Sequence, residues 1–316
     1  MIFKTSFGRS VTGRVMEWIF YILARGLIKV IEALPFRVIL KIGRIGGTLA
    51  YYIDRRHRKV AIENLAMVFG KELSFDEIVR IAKGNFKRIG ENFASSVKAM
   101  VISDEELSQY LEVSGLGNLD KHNKSKSIIM AIGHFGNFEL YARANIFLPG
   151  YQFATTFRGL NQPLLDNLLR KLRAKSGCLY FDRRMESEEL KKLISSKRLM
   201  LGFLVDQNAG QGGIECNFLG VSCSTSRAPA VFALRYKCPL HTAICYRVGP
   251  EKWRIEIGPE IQTIKNGAPR SVFEITSDIN QEFEKAVRAD PTNWFWVHRR
   301  WKKVDLRTNI RAGQMI

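Results

Sequence analysis

The chain has 316 residues, 46% of them hydrophobic, and sets 49 Lys and Arg against 30 Asp and Glu for a formal net charge of +19. That length and apolar content exclude a disordered or fibrous chain and suffice for one large domain or two modest ones. Five cysteines, Cys178, Cys216, Cys223, Cys238 and Cys245, with no C-x-x-C pair, exclude a disulfide framework and a cysteine zinc site and read as reduced thiols. The charge calls for an anionic partner and by itself does not choose among an anionic membrane, an acidic carrier protein and nucleic acid.

Residues 15–34 are apolar but interrupted by charge, and on a helical wheel Arg14, Arg25, Lys29 and Glu32 fall within roughly 60° of one another. Trp18, Ile19, Phe20, Ile22, Leu23, Leu27 and Ile31 cover the rest of the circumference. A spanning helix wants about 20 residues with few or no charges, so the pattern favours a helix lying in the membrane interface, with tilted spanning as the alternative. No small-residue cleavage site follows, so this is not a removable signal peptide. Residues 38–53 carry Gly43, Gly46 and Gly47, which suit close helix packing or membrane contact, and end at the basic run Arg55-Arg56-His57-Arg58-Lys59. Residues 60–100 read as helical, with Ser74 and Glu77 spaced as a capping box.

After Gly115 the texture changes. Short apolar runs at 127–132, 153–157, 199–205, 240–246 and 253–257 read as strands, and segments starting at Asn161, Glu186, Arg227 and Ser277 read as helices. The expected fold class is α/β, a mostly parallel sheet covered by helices, with an N-terminal helical membrane-associating layer over residues 1–54 and the α/β domain over 55–316. Active groups then belong at the carboxyl ends of the strands.

Three strands end in residues suited to a site. The first runs into Gly133-His134-Phe135-Gly136-Asn137-Phe138-Glu139. Within one helix a spacing of five separates side chains by about 140°, so His134 meets Glu139 only if it precedes the helix, which the flanking glycines permit. Asn137 is then an N-cap and Glu139 sits in the first turn, able to orient an imidazole that acts as general base. The plainer reading is a strand-end histidine and a solvated glutamate; zinc is poorly served, because none of the five histidines forms an HExxH pair. The second strand ends at Arg158, a cation for a phosphate or an oxyanion, and the third at Asp206-Gln207-Asn208 before a glycine-rich loop. Asn137, Arg158, Asp206 and Gln207 form the expected substrate-binding set.

Taken together, these blocks resemble the bacterial lipid A secondary acyltransferases, within the lysophospholipid acyltransferase superfamily. The resemblance rests on Arg55 through Leu65, Gly133 through Glu139, Phe157-Arg158, Asp206-Gln207-Asn208-Ala209-Gly210 and Trp296-Val297-His298-Arg299-Arg300-Trp301-Lys302, and it covers most of the chain. Ser224 through Arg227, and Cys216 with Asn217, depart from the family's pattern. The resemblance implies that His134 is the general base and Glu139 its orienting carboxylate. The implied reaction transfers a fatty acyl group from an acyl carrier protein thioester to a hydroxyl on a 3-hydroxyacyl chain of a phosphorylated glucosamine lipid, with no cofactor and no metal. It further implies acyl carrier protein and anionic membrane lipid as partners, no nucleic acid, and a place on the cytoplasmic face of the bacterial inner membrane. The alternatives are an acyltransferase for another lysophospholipid, amino-acid lipid or glycolipid, and a non-enzymatic membrane or nucleic-acid binding protein.

Overall fold

The computed structural model describes residues 11–119, 127–157, 159–182, 188–196 and 198–302. The amino-terminal part is helical: α1 (Val11–Ala33), α2 (Phe36–Ile53), α3 (Arg55–Phe69), α4 (Phe75–Ala99) and the short α5 (Asp104–Leu107). Pro35, with φ −59° and ψ 148°, separates the first two. Asp54 starts the third by accepting from the His57 amide at 3.0 Å, and the expected Ser74/Glu77 capping box starts the fourth.

The remainder is α/β. Strands β1 (Leu111–Ser114), β2 (Ile128–Ile132), β3 (Gln152–Phe157), β4 (Leu179–Asp182), β5 (Leu199–Leu204), β8 (Leu240–Arg247) and β9 (Trp253–Glu260) form a seven-stranded sheet in the order β1-β9-β8-β2-β5-β3-β4. All neighbours run parallel except β8 and β9. Strands β6 (Ile214–Phe218) and β7 (Val221–Thr225) make a separate hairpin, as do β10 (Ile264–Lys265) and β11 (Ala268–Pro269). Helices α6 (Pro163–Ala174), α7 (Glu188–Ser196), α8 (Ala228–Tyr236) and α9 (Val272–Ala289) complete the domain.

The expected α/β class is therefore observed, and each of the five anticipated strands is present. The central strand β2 shows why an unbroken apolar run was needed: Ile129 and Ala131 enter the core on one face of the sheet, while Ile128, Met130 and Ile132 enter the core on the other. Strands β1 and β4 have only four residues each and escape a periodicity reading. Helix α9 begins five residues before Ser277, at a second capping box of Ser271 and Glu274 whose spacing is plain in the sequence. All five cysteines are buried and none is in a disulfide.

The glycines of α2 divide by role. A Cβ on Gly43 would lie 2.5 Å from the carbonyl oxygen of Gly90, one on Gly47 would lie 2.2 Å from that of Phe86, and one on Gly90 would lie 2.1 Å from that of Gly43. Helices α2 and α4 thus meet backbone to backbone, whereas Gly46 faces open space. The other side of α2 exposes Val38, Ile42, Ile45, Leu49, Tyr52 and Ile53, and α1 exposes Trp18, Ile19, Phe20, Ile22, Leu23 and Leu27. Among the described residues no helix is long and apolar enough to cross a membrane.

Gly90→Ala should force the helices apart and cost about 1–3 kcal/mol, whereas Gly46→Ala should leave stability unchanged or raise it by up to about 1 kcal/mol through helix propensity. Thermal melts of the two variants in one detergent check this, and indistinguishable melts would contradict the close approach.

Candidate active site

The site is built on the adjacent strands β2 and β5. Their register pairs Ile132 with Leu204, so the residues two places further on, His134 and Asp206, emerge side by side at the carboxyl edge of the sheet. The turn after β2 is tight for a reason of space. Gly136 has φ +51°, and a Cβ there would stand 2.5 Å from the carbonyl oxygen of Cys245 on β8. One residue earlier, Phe135 bridges to Trp294, and the Gly136 amide donates to the Asn293 carbonyl at 2.9 Å.

Asp206 accepts three hydrogen bonds. His134 Nδ1 lies 2.7 Å from its Oδ1, and its Oδ2 receives the His134 amide at 2.8 Å and Trp294 Nε1 at 2.8 Å. The side chain of Asp206 is 1% exposed and that of His134 16%. Burial alone would raise the Asp206 pKa, but the neighbouring His134 charge and the hydrogen bonds from His134 and Trp294 outweigh it and hold the carboxyl below the usual carboxylate range. An ionised Asp206 fixes the proton on Nδ1 and leaves Nε2 as an acceptor. Gln207 Nε2 stands 3.4 Å from that Nε2. Phe138 and Phe295 flank the imidazole, with ring centroids 4.8 and 5.9 Å away.

The expected pairing of His134 with Glu139 is not what the structure holds. Glu139 is turned away into an ion pair with Arg173 of α6, with a second contact from Arg173 Nε at 3.3 Å. The physical reason is local: residues 138–147 form a 3-10 helix starting directly at Phe138, which points Glu139 toward α6, while the strand register offers His134 a closer carboxylate. Asn137 does not cap that helix with its side chain. It is fully buried, receives Ser96 Oγ at 2.7 Å and donates to Ser95 Oγ at 3.0 Å, so it braces the turn against α4 and is closed off from substrate. Asp206 is likewise enclosed and acts through His134. Gln207 reaches the open site, and Arg158, like the basic pair Arg183-Arg184, lies outside the described residues.

The residues around the pair extend beyond the expected catalytic and substrate-binding set, and two of them come from the terminal block Trp296 through Lys302. Arg300 is fully buried, has no carboxylate partner among the described residues, and donates to the carbonyls of Gln207 and Ser224 and to Thr225 Oγ1, so it fixes the loop after β5. Burial lowers its pKa from the ordinary arginine value, opposed by Cys223 and Asp206. His298, whose pKa is also lowered by burial, lies close enough to His134 and Asp206 to feel both charges.

From His134 a cavity of about 300 Å³ runs along the sheet, walled by Ile132, Ala144, Phe153, Ala154, Met200 and Gly202, with Glu139 and Arg173 also on its lining. Cys178 belongs to this wall, and burial followed by the Glu139 charge pushes its thiol up to about 12, so it stays protonated and serves as an apolar surface. An acceptor Nε2 opening on a long apolar cavity has the equipment to take a proton from a hydroxyl beside a bound hydrocarbon chain.

The α/β fold and this histidine–carboxylate pair at the sheet's carboxyl edge define a transferase-like framework with room for an aliphatic substrate. The family model described as bacterial lipid A biosynthesis acyltransferase matches residues 6–303, and the chain belongs to that family; it is an O-acyltransferase of the lipid A biosynthesis type. It is 24% identical over 276 residues to the lipid A biosynthesis palmitoleoyltransferase of Escherichia coli (strain K12), covering 85% of this chain and 86% of that protein. It is 25% identical over 289 residues to the lauroyltransferase of the same organism, covering 89% and 90%. The lipid A biosynthesis acyltransferase of Haemophilus influenzae (strain ATCC 51907 / DSM 11121 / KW20 / Rd) shares 24% over 297 residues, 90% of each chain.

Asp206→Asn should lower turnover by roughly 10²–10⁴-fold, because an amide neither fixes the Nδ1 proton nor stabilises the imidazolium. Because the folded pKa of Asp206 lies below its unfolded value, its contribution to stability is fully present above about pH 4 and is lost only as the pH falls through the folded pKa. Melts of parent and Asp206→Asn should accordingly converge as the pH falls from 5 through the folded pKa; a difference that persists undiminished in strong acid would contradict the assignment.

Proposed function

We propose that the protein transfers a fatty acyl group from an acyl carrier protein thioester to the hydroxyl of a 3-hydroxyacyl chain on a phosphorylated glucosamine lipid, a lipid A precursor, with His134 as general base. The observation that carries this reading is the acceptor nitrogen of an imidazole, oriented by a buried carboxylate, at the mouth of an apolar cavity. Two of the relatives are a lauroyltransferase and a palmitoleoyltransferase, which supports a fatty acyl donor.

The chemistry follows from the atoms. The acceptor hydroxyl gives its proton to His134 Nε2 as its oxygen attacks the thioester carbonyl, and Asp206 stabilises the imidazolium that forms. The tetrahedral oxyanion then collapses, the carbon–sulfur bond breaks, and the departing thiolate takes the proton from Nε2. A thioester is already activated, so the protein supplies a base, donors for the oxyanion and position. The Gln207 amide stands beside the reacting nitrogen, and Arg158 follows β3 as the cation for an oxyanion or phosphate. Glu139 holds Arg173 at the cavity wall and so acts on the acyl chain's seat, not on the base.

His134→Ala should reduce transfer by about 10²–10⁴-fold with the fold retained. Glu139→Ala should lose less, since the His134–Asp206 pair survives it. Mass spectrometry of lipid A from cells carrying each variant at equal expression reads both effects; activity of His134→Ala within a few-fold of the parent would remove it from the chemistry.

For location, the apolar faces of α1 and α2 and the basic residues around them support association with the cytoplasmic face of the inner membrane, with residues 1–54 as the attaching layer. The same excess of positive charge suits an acidic carrier protein. Ile45→Glu together with Leu49→Glu, both on the exposed side of α2, should reduce co-sedimentation with anionic vesicles several-fold while leaving the melt in detergent unchanged. Undiminished co-sedimentation would show that α2 does not contribute.

A further inference from the structure

A second, narrow groove shares His134 and Phe138 with the acyl cavity and runs between α4 and residues 292–295. Its α4 wall presents Asn85, Arg88, Ile89, Asn92 and Phe93, a helical face in which Arg88 and Asn92 stand one turn apart. Asn85 is committed to the carbonyls of Thr292 and Trp294. Arg88, partly buried, makes no hydrogen bond or ion pair among the described residues. Its guanidinium nitrogens keep access to solvent, so a ligand that brings counter-charge can reach them.

The surroundings add positive charge and do not remove it. Arg44 of α2 and Arg247 at the end of β8 both contact Glu91, at 2.5 and 3.2 Å. Arg88 and Arg44 each repel Arg247, whose side chain is 3% exposed. Two guanidiniums therefore share the Glu91 carboxylate while the third, Arg88, stands near them without an ion pair, so positive charge is in excess beside the groove. Arg44, itself exposed, stands about 100° round α2 from the exposed Ile45, so this corner borders the apolar face of α2.

We propose that Arg88 and Asn92 bind a phosphate group of the acceptor lipid, with Arg44 and Arg247 supplying the field around it. The proposal rests on the acyltransfer reading above and gives the acceptor its own subsite, apart from the cavity that receives the acyl chain. Arginine suits the task because its planar fork meets two phosphate oxygens at once, and an asparagine amide one turn on adds a third donor.

The test uses the full chain in a neutral detergent, which removes anionic bilayer lipid as a competing source of phosphate. The probes are a 3-hydroxyacylated glucosamine phosphate lipid and its dephosphorylated counterpart. The parent should favour the phosphorylated acceptor about tenfold or more in kcat/KM, Arg88→Gln should reduce that preference to within about twofold, and Arg88→Lys should fall between. If Arg88→Gln fails to melt cooperatively, Asn92→Ala decides by shifting the same ratio about two- to fivefold in the same direction. A preference left intact in the variants, or an equal loss with both acceptors, overturns the phosphate subsite while leaving the acyltransfer reading standing. A parent that acylates neither acceptor overturns that reading and this proposal with it.

Discussion

The site depends on the burial of one carboxylate. Asp206, 1% exposed, has to be compensated inside the protein, because an uncompensated ion in the interior costs several kcal/mol. Its compensation comes from the amide and ring of His134 and from the indole of Trp294. The same bonds that make the charge tolerable also fix the imidazole's tautomer and direction. Stability and orientation are here one set of contacts, so neither the turn after β2 nor the segment carrying Trp294 can shift without exposing the other's dependence on Asp206.

The segment carrying Trp294 is held by a repeated device. Three asparagines from distant parts of the chain each use one carboxamide to bind two carbonyls of residues 292–302: Asn85 holds Thr292 and Trp294, Asn64 holds Trp296 and His298, and Asn208 holds Arg300 and Lys302. Irregular backbone inside a protein must find partners for its polar groups, and these amides supply donors that no strand or helix offers there. This gives a physical reason for the company kept by the sequence blocks. Asn64 belongs to the basic block on α3, Asn208 follows Asp206, and Trp296 through Lys302 is the strap they bind.

Much of this was legible beforehand, and what was not has identifiable causes. The five longer strands announced themselves as apolar runs, and His134 stood out because glycines bracket it at a strand end. Its partner did not, since a local spacing of five made Glu139 the nearest carboxylate in sequence, whereas the neighbour in space is set by which strands lie side by side. Asp206 is recognisable as a strand-end residue, but periodicity gives no strand order. Asn137 misled similarly: its turn chemistry fits a cap, and only the packing of α4 against the turn shows the amide spent on Ser95 and Ser96. The contributions of Arg300, Arg173 and Trp294 are long-range by nature: the terminal block marks Arg300 without revealing its partners in the loop after β5 and in β7, and no local pattern marks Arg173 or Trp294.

The strap has a consequence for how the protein comes into being. The contacts that complete the site join residues up to 234 positions apart, as between Asn64 and His298. A chain made from its amino end therefore presents α1, α2 and the strands, with their apolar surfaces, long before the Asp206 charge can be fully satisfied. Until synthesis has passed residues 293 and 294, the Asp206 carboxylate lacks the Trp294 indole, one of its three donors, and the turn after β2 lacks its bond to the Asn293 carbonyl. The site is therefore completed by some of the last of the described residues to be made.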